Sequence, residues 1–491
     1  MRDIRRESCW LLRNSSPISF TLVLRISTSI IASICLGHLV HLAAGSLGDA
    51  FVMLVCTSWL VGMASALDTL CSQTFTAGSQ NSKLLSLHVQ RSLVILAVCF
   101  LPMVAVCWKA ESFFLLMGRD TEVARLAGKY ACWKLLHIPG FMVADVFLRF
   151  LQSQGDMQTG ARVLCLTSPI GAVLSYILII VFRDSVGFIG AAIAIALAHT
   201  LGAVFIVRKA VSLPTWHPWT SAALSGWTPF LKLGRCPHRP ERSIPGIFMS
   251  CNEIWVIELL TIVVSSFGPV AVAAQTITLH DLPGSVTAGI AVATSNRVGN
   301  YLGAGRAMLA RVSSWTALAI TVSLACFYAV CIVLFRNRIG AIYSNDQKVV
   351  DLAGELLPIG ALFHIFVAVA LICDGILRGQ GRQSYGAGIR VVTFYVIGIP
   401  LAALLTLYGK LQLAGLWLAF LGAMLLTAIL EITLIAKTDW PQLSIASQRR
   451  VRRDEAKLDQ GILAQSNASS ASTLAADLDA NLLGAATISE P

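Results

Sequence analysis

Stretches of about 20 apolar residues recur along almost the whole chain, and this is the length of helix that crosses the hydrocarbon core of a bilayer. Of the 491 residues, 56% are hydrophobic and only 13% are charged, about half the charged fraction of a typical soluble protein. Backbone polar groups find no water in lipid, so such stretches must form helices. The sequence therefore predicts an all-α polytopic membrane protein with twelve transmembrane helices. The spans are predicted at about 18–39, 47–75, 93–116, 123–148, 163–182, 188–207, 244–267, 270–293, 312–335, 352–377, 389–408 and 411–436.

Basic residues are concentrated in the loops that follow even-numbered spans. These loops carry Arg149, Arg208 and Arg378, among others, whereas the loops after odd-numbered spans are poorer in Lys and Arg. Because short loops rich in Lys and Arg remain in the cytosol, both termini are predicted to be cytosolic. The net charge of +11 then follows from the topology, and no nucleic-acid partner is expected. The host is expected to be the plasma membrane or the vacuolar membrane.

Two short sequence echoes relate the halves of the chain. Gln154-Gly155 recurs as Gln380-Gly381, 226 positions later (380 − 154), and Ala77-Gly78 recurs as Ala304-Gly305. An offset of six spans preserves orientation, so the repeat is parallel and predicts two six-helix lobes related by an axis along the membrane normal. The predicted organisation is a cytosolic segment at 1–17, a first lobe at 18–207, a cytosolic connector at 208–243, a second lobe at 244–437 and a disordered cytosolic tail at 438–491.

Two acidic residues, Glu253 and Glu258, lie within the apolar seventh span. A carboxylate at membrane depth is costly, so it usually faces a bundle interior or a wet cavity and marks an ion or substrate path. Five residues correspond to about 140° around a helix, so the two acids cannot both face one cavity. Trp255 lies between them and could offer a cation–π face or simply pack. For each acid, a purely structural hydrogen bond is the alternative to a transport role.

Five segments at the ends of predicted spans carry motifs that together suggest a family. They are SALDTLCSQTFTAG at 65–78, IPG at 138–140, LRFLQSQ at 148–154, RVGNYLGAG at 297–305 and GILRGQGRQ at 375–383. In order and spacing they resemble the multidrug and toxic compound extrusion (MATE) family in its eukaryotic branch, over about residues 17–437. The resemblance implies a secondary exporter with two six-helix lobes. Such proteins exchange protons or sodium for organic, often cationic, solutes, and the eukaryotic branch is generally proton-coupled.

The resemblance also implies candidate site residues in the seventh and tenth spans. The family's seventh-span motif of an acid, aromatics and a second acid corresponds to Glu253, Trp255 and Glu258. Where members usually carry an acid in the tenth span, this chain has Val367. Asp374 follows seven residues later on the same helix face, about 10 Å along the axis, and could replace that acid.

In the eighth span, animal members place an acid five residues after an Ala-Gln pair. Counting from Gln275, that position holds His280, which is followed by Asp281. A hydrogen-bonded core histidine is the alternative for His280, and an ordinary helix-end charge is the alternative for Asp374. We therefore predict proton coupling at Glu253, Glu258 and Asp374, and substrate binding at Trp255, Gln275, His280 and Asp281.

The predicted function is secondary active export, in which protons are exchanged for small organic solutes, cationic or amphiphilic, by alternating access. A carboxylate that binds either a proton or an organic cation makes the two compete, which is the basis of antiport. The phosphate-binding motif Gly-x-x-x-x-Gly-Lys-Ser/Thr is absent, the thirteen Cys form no CxxC pair, and the nine His are dispersed. No enzymatic activity, cofactor or metal site is therefore predicted. The alternatives are another twelve-span secondary carrier, a lipid or oligosaccharide flippase and, less favoured, a membrane-embedded enzyme.

Overall fold

Every regular element in the described part of the chain is a helix. The computed structural model describes residues 2–37, 42–77, 82–182, 187–224, 249, 251–252, 255–256, 263–264, 267–278, 282–343, 346–408 and 411–460. The helices are α1 (Arg2–Gly37), α2 (Ala44–Thr76), α3 (Ser82–Trp108), α4 (Ala110–Leu116), α5 (Thr121–Lys134), α6 (His137–Ser153), α7 (Thr159–Val181), α8 (Gly187–Val211), α9 (Pro269–Thr278), α10 (Leu282–Gly303), α11 (Ala307–Tyr343), α12 (Gln347–Gln380), α13 (Gln383–Thr406), α14 (Gln412–Ala436) and α15 (440–460).

Eight helices of the described chain are long and apolar enough to cross a membrane, namely α2, α3, α7, α8, α11, α12, α13 and α14. Helices α5 and α6 form a ninth span if the bent pair is counted as one, with a bend of 44°. Pro139 lies in the first turn of α6. Its ring lacks an N–H and clashes with the carbonyl four residues earlier, so a straight helix through Leu135 is broken. The predicted all-α polytopic fold class is confirmed.

The glycines of the sequence echo end equivalent helices. Gly155 follows α6 with φ of 92°, and Gly381 caps α12 with φ of 72°. Gly305, from the second echo, has φ of 77° after α10. Only glycine adopts this left-handed conformation without a steric penalty, and it commonly ends helices for this reason. The echo therefore marks repeated helix stops in the two halves.

Two groups of helices have separate hydrophobic cores. One core includes Leu67 of α2, Leu96 of α3 and Phe150 of α6. The other includes Phe363 of α12 and Phe420 of α14. We refer to α2–α8 as the first lobe and to α9–α14 as the second lobe.

Helix α1 contacts both lobes. Ser19 donates a hydrogen bond of 3.1 Å to the carbonyl of Val286 on α10, and Thr21 lies against Gly160 at the start of α7. Nearer its beginning, Glu7 accepts hydrogen bonds from Arg297 at 2.8 Å and from the Tyr301 hydroxyl at 2.5 Å. Helix α1 therefore joins the start of the chain to the end of α10.

The contacts of Glu7 determine its protonation. Burial by itself raises the pKa of the Glu7 carboxyl, but hydrogen bonds from Arg297 and Tyr301 and the Arg297 charge outweigh burial, leaving the pKa below its usual 4.5. A lowered pKa means that this contact stabilises the fold above the unfolded-state pKa. The stabilisation is lost only as pH falls through the folded-state value. The ion pair therefore stays intact at neutral pH.

Helix α15 bridges the two lobes after α14. Ser444 donates a hydrogen bond of 3.0 Å to the carbonyl of Leu302 in the second lobe. Arg450 donates one of 3.2 Å to the Gln73 side chain in the first lobe. Further along α15, buried Val451 and Leu458 share an apolar cluster with Leu84 and Leu87 of α3.

The prediction of a disordered tail at 438–491 is wrong for residues 440–460. Buried residues recur there every three or four positions, which gives the helix one apolar face, while its many basic residues lie mostly on the exposed face. Residues 461–491 lie outside the described chain. The buried positions of α15 are Trp440, Ser444, Ser447, Val451 and Leu458.

We expect Val451→Asp to lower the stability of the protein by about 1–3 kcal/mol, because it places a charge in the apolar contact between α15 and α3. Ala456→Asp is the matched control, since Ala456 is exposed on the same helix. Thermal unfolding of the detergent-solubilised proteins measures both. Equal melting temperatures for the two variants would show that α15 is not docked.

Candidate functional site

Four of the seven predicted site residues lie outside the described residues. These are Glu253, Glu258, His280 and Asp281. Trp255, Gln275 and Asp374 are described, and their surroundings indicate what this part of the second lobe contacts.

Trp255 lies where the seventh span meets the first lobe. Its ring centroid is 5.4 Å from that of Trp59 on α2, and its side chain is half-buried. Cys251, one turn earlier, is fully buried in the core of the first lobe. Trp255 therefore packs against the first lobe, and the acid-bearing segment lies at the boundary between the lobes.

Gln275 is buried on α9, with 3% of its surface exposed. The neighbouring residues Ala274 and Ile277 belong to the core of the second lobe. Gln275 therefore lies inside the second lobe, and none of the described contacts brings it to Asp374.

Asp374 belongs to a buried cluster of three charges. Its Oδ2 lies 2.7 Å from Nη2 of Arg390, and Nε of Arg390 lies 3.4 Å from Oε1 of Glu431. These residues come from α12, α13 and α14, and none exposes more than 2% of its surface. The cluster thus joins three helices of the second lobe through one guanidinium.

The charges of this cluster do not cancel. Among the described residues that form it, one guanidinium faces two carboxylates, so the three groups carry −1 when both acids are ionised and are neutral when one acid holds a proton. Like charges that share a site favour protonation of one member. The arrangement can therefore take up and release one proton inside the lobe.

Sequence reasoning missed Glu431 and treated Arg390 only as a loop charge. Glu431 lies in the apolar twelfth span, so the rule that selected Glu253 would also have selected it. Arg390 gave no such signal, because a basic residue at a span end is expected on the cytosolic side.

We expect Arg390→Met to destabilise the protein by about 3–5 kcal/mol, because two buried carboxylates lose their common partner. Arg311→Met removes the same group from an exposed position of α11 and should change stability little. The measurement is thermal unfolding at pH 7 and at pH 5. Partial recovery of the Arg390 variant at the lower pH is expected, since protonation removes the unpaired charges.

A second charge cluster connects the lobes. Arg149 of α6 lies 2.6 Å from Asp68 of α2 and 2.8 Å from Asp145 on its own helix. Arg378 of α12 approaches the same Asp68 oxygen at 3.8 Å. Asp68 is thus held between basic residues of both lobes, at the helix ends that the sequence predicts to be cytosolic.

Hydrogen bonds to backbone carbonyls extend this contact. Gln73 donates to the Gly379 carbonyl at 2.9 Å, and Gln383 donates in the opposite direction to the Ser65 carbonyl at 3.2 Å. Thr69 also donates to the carbonyl of Arg378. Residues 65–76 of α2 are therefore closed against α12 and α13. We call this surface, together with the neighbouring part of α10, the interlobe contact.

Two glycines of the RVGNYLGAG motif allow α10 to approach α2. A Cβ atom at Gly299 would collide with the Ser72 side chain, and one at Gly303 would collide with the Gln73 backbone. Thr76 donates a hydrogen bond of 2.6 Å to the Asn300 carbonyl between them. The spacing of four residues puts both glycines on one helix face, as at other close helix contacts in membranes.

We expect Gly299→Val to weaken the interlobe contact, because its side chain cannot fit beside Ser72. Amide hydrogen exchange should become faster in peptides covering 65–76. Gly422→Val on α14 is the control, since a Cβ there meets no atom within 4 Å. Unchanged exchange in the Gly299 variant, with the protein still folded, would contradict this account of the contact.

Comparison with known proteins decides the family. The family model MatE matches residues 17–177 and again residues 245–404. The chain belongs to the MATE family. The two matches begin 228 positions apart (245 − 17), in agreement with the repeat that the echoes indicate. The family members are transporters, so the prediction that the chain is not an enzyme is confirmed.

This MATE chain resembles curated and solved members over most of its length. It is 31% identical to mouse multidrug and toxin extrusion protein 2, covering 92% of this chain and 77% of that protein. It is 30% identical to human multidrug and toxin extrusion protein 1, covering 89% and 76% respectively. The crystal structure of the eukaryotic MATE transporter AtDTX14 matches with a TM-score of 0.83 and 26% identity, covering 91% of this chain and 100% of that one.

A more distant structure supports the fold alone. The Vibrio cholerae MATE transporter VcmN, in its bent form, matches with a TM-score of 0.74 at 17% identity, covering 93% of this chain and 99% of that one. The chain is therefore an integral multi-pass membrane protein with the twelve-helix MATE fold, and a transporter of the multidrug and toxin extrusion family.

Proposed function

We propose that this MATE chain exports organic solutes, cationic or amphiphilic, in exchange for protons. The observation that carries the proposal is the buried cluster in which Asp374 and Glu431 share Arg390. With one basic group for two acids, a proton can bind and leave within the second lobe. A cofactor is not required for such an exchange.

Glu253 is the residue we propose to couple proton and solute. It follows Asn252, which is fully buried, and precedes Trp255, which packs on the first lobe. A carboxylate at such a boundary is exposed to a different environment whenever the lobes rearrange. Glu258, His280 and Asp281 remain proposed members of the same site, with Gln275 and Trp255 as contacts for the organic solute.

Alternating access would proceed through the interlobe contact. Closure at the ends proposed to be cytosolic leaves the opposite side as the open one, and a solute from the cytosol can enter only when this contact separates. Proton binding and solute binding then favour different arrangements of the lobes, and their difference in affinity drives transport. The plasma or vacuolar membrane, with both termini in the cytosol, is the proposed location.

We expect Glu253→Gln to abolish proton-driven export while the protein remains folded, because the amide cannot exchange a proton. The assay uses proteoliposomes in sodium-free buffer, an imposed pH gradient and a radiolabelled tetraalkylammonium cation. Glu355→Gln makes the same change at an exposed position of α12 and should transport like the unmodified protein.

Two outcomes would count against the proposal. Unchanged proton-driven efflux by the Glu253 variant would exclude this residue as the coupling acid. Efflux by the unmodified protein that needs a sodium gradient and ignores pH would exclude proton exchange.

A further inference from the structure

A pocket inside the first lobe is not used by the proposed coupling mechanism. It lies among α1, α6, α7 and α8, away from the carboxylates of the second lobe. Its polar lining consists of Arg25, Thr167, Ser168 and His199, and Phe141 provides an aromatic wall. None of its lining residues is an acid.

Arg25 is the unusual residue of this pocket. Its guanidinium carbon lies 5.1 Å from the centre of the Phe141 ring. Within the described chain, no carboxylate lies within 4 Å of it, and Asp145, one turn beyond Phe141, is held by Arg149 at 2.8 Å. Arginine at membrane depth normally pairs with an acid or with backbone carbonyls. An aromatic face alone compensates such a charge poorly.

His199 adds a second polar group on the opposite wall. Its Nδ1 donates a hydrogen bond of 2.9 Å to the Ile195 carbonyl, which can only accept. Nε2 is therefore the ring atom left for a ligand. It can accept an acidic hydrogen or, when the ring is protonated, donate one.

The rest of the pocket is apolar. Leu148, Leu164 and Ile206 line it together with Phe141. A planar acidic group fits the fork of a guanidinium, which binds carboxylates and phosphates through two parallel hydrogen bonds. An apolar or aromatic body attached to that group would contact the remaining walls.

We infer that this pocket binds the acidic group of an amphiphilic organic anion, a carboxylate, sulfonate or phosphate carried on an apolar body. Arg25 binds the anion, and Phe141 contacts the body beside it. The inference goes beyond the proposed function, which depends on acids of the second lobe and on cationic or amphiphilic solutes. A transporter with both sites could take solutes of either charge in different lobes.

The test compares two dyes that share a xanthene ring system but differ in charge. Fluorescein is an anion and rhodamine 6G is a cation, and fluorescence anisotropy gives their affinities for the purified full-length protein. Arg25→Gln should weaken fluorescein binding about tenfold or more, as expected for loss of a hydrogen bond to a charged group. Rhodamine 6G binding should stay within about twofold of the unmodified protein, a difference too small to reflect such a bond.

Arg208→Gln is the charge control. Arg208 is exposed at the end of α8, so this variant loses the same charge outside the pocket and should bind both dyes normally.

Gly202→Val keeps the proposal testable if the Arg25 variant misfolds. Gly202 lines the pocket, and a Cβ there meets only Thr167 and Val163, both at 3.8 Å. The larger side chain should fill the pocket without changing any charge, and fluorescein binding should again weaken. Folding of each variant is checked by size-exclusion chromatography and thermal unfolding.

The outcomes are distinct from those of the coupling experiment. Failure of the unmodified protein to bind fluorescein would overturn the inference. Equal affinity for fluorescein in the unmodified protein and both pocket variants, or an equal loss for the two dyes, would also overturn it. Glu253→Gln should leave fluorescein binding intact, so an error in the proposed coupling acid leaves this result unaffected.

The anion could reach the pocket as a free solute or as a lipid headgroup. The same binding assay in nanodiscs distinguishes these sources, using phosphatidylcholine alone or with phosphatidylglycerol. Competition by phosphatidylglycerol, lost in Gly202→Val, supports the anion site with a lipid as occupant. Absence of competition, with fluorescein binding retained, supports the site with a free organic anion as occupant.

Discussion

Charged side chains within a bilayer have no water to solvate them, so each needs a partner supplied by another helix. This constraint explains the main polar contacts of the described helices. Arg390 joins α12, α13 and α14 through Asp374 and Glu431, and Arg149 joins α6 to Asp68 of α2. Such clusters are strong only while every member is present, because removal of one partner leaves a buried charge. They therefore fix which helices can be neighbours.

The interlobe contact is of a different kind from the interior of each lobe. It consists of hydrogen bonds to carbonyls at helix ends, such as that of Gly379, and of close approaches at Gly299 and Gly303. Carbonyls in the last turn of a helix lack intrahelical partners, so they can accept bonds from the other lobe. Each of these bonds contributes modestly and can be replaced by water when the surface opens. A transporter that alternates between two arrangements needs a surface with this property.

Helix α15 adds a tie across the same surface. It bonds to the end of α10 through Ser444 and to α2 through Arg450, and it covers Leu84 and Leu87 of α3. Because these contacts involve both lobes, a rearrangement that separates α2 from α10 must also change how α15 is docked. The tail after the last span is thus part of the closed arrangement.

The sequence by itself determined the spans, the parallel repeat and the family. These depend on local signals: runs of apolar residues, glycines that end helices at 155 and 381, and short motifs such as RVGNYLGAG at 297–305. It also indicated Asp374 as an acid at membrane depth, although it gave no sign that Arg390 would face it. Only the tertiary structure decided the partners of each charge, the docking of α15 and the pocket around Arg25. Each of these brings together side chains from helices far apart in the chain, and a local pattern carries no information about which distant helix face will be adjacent.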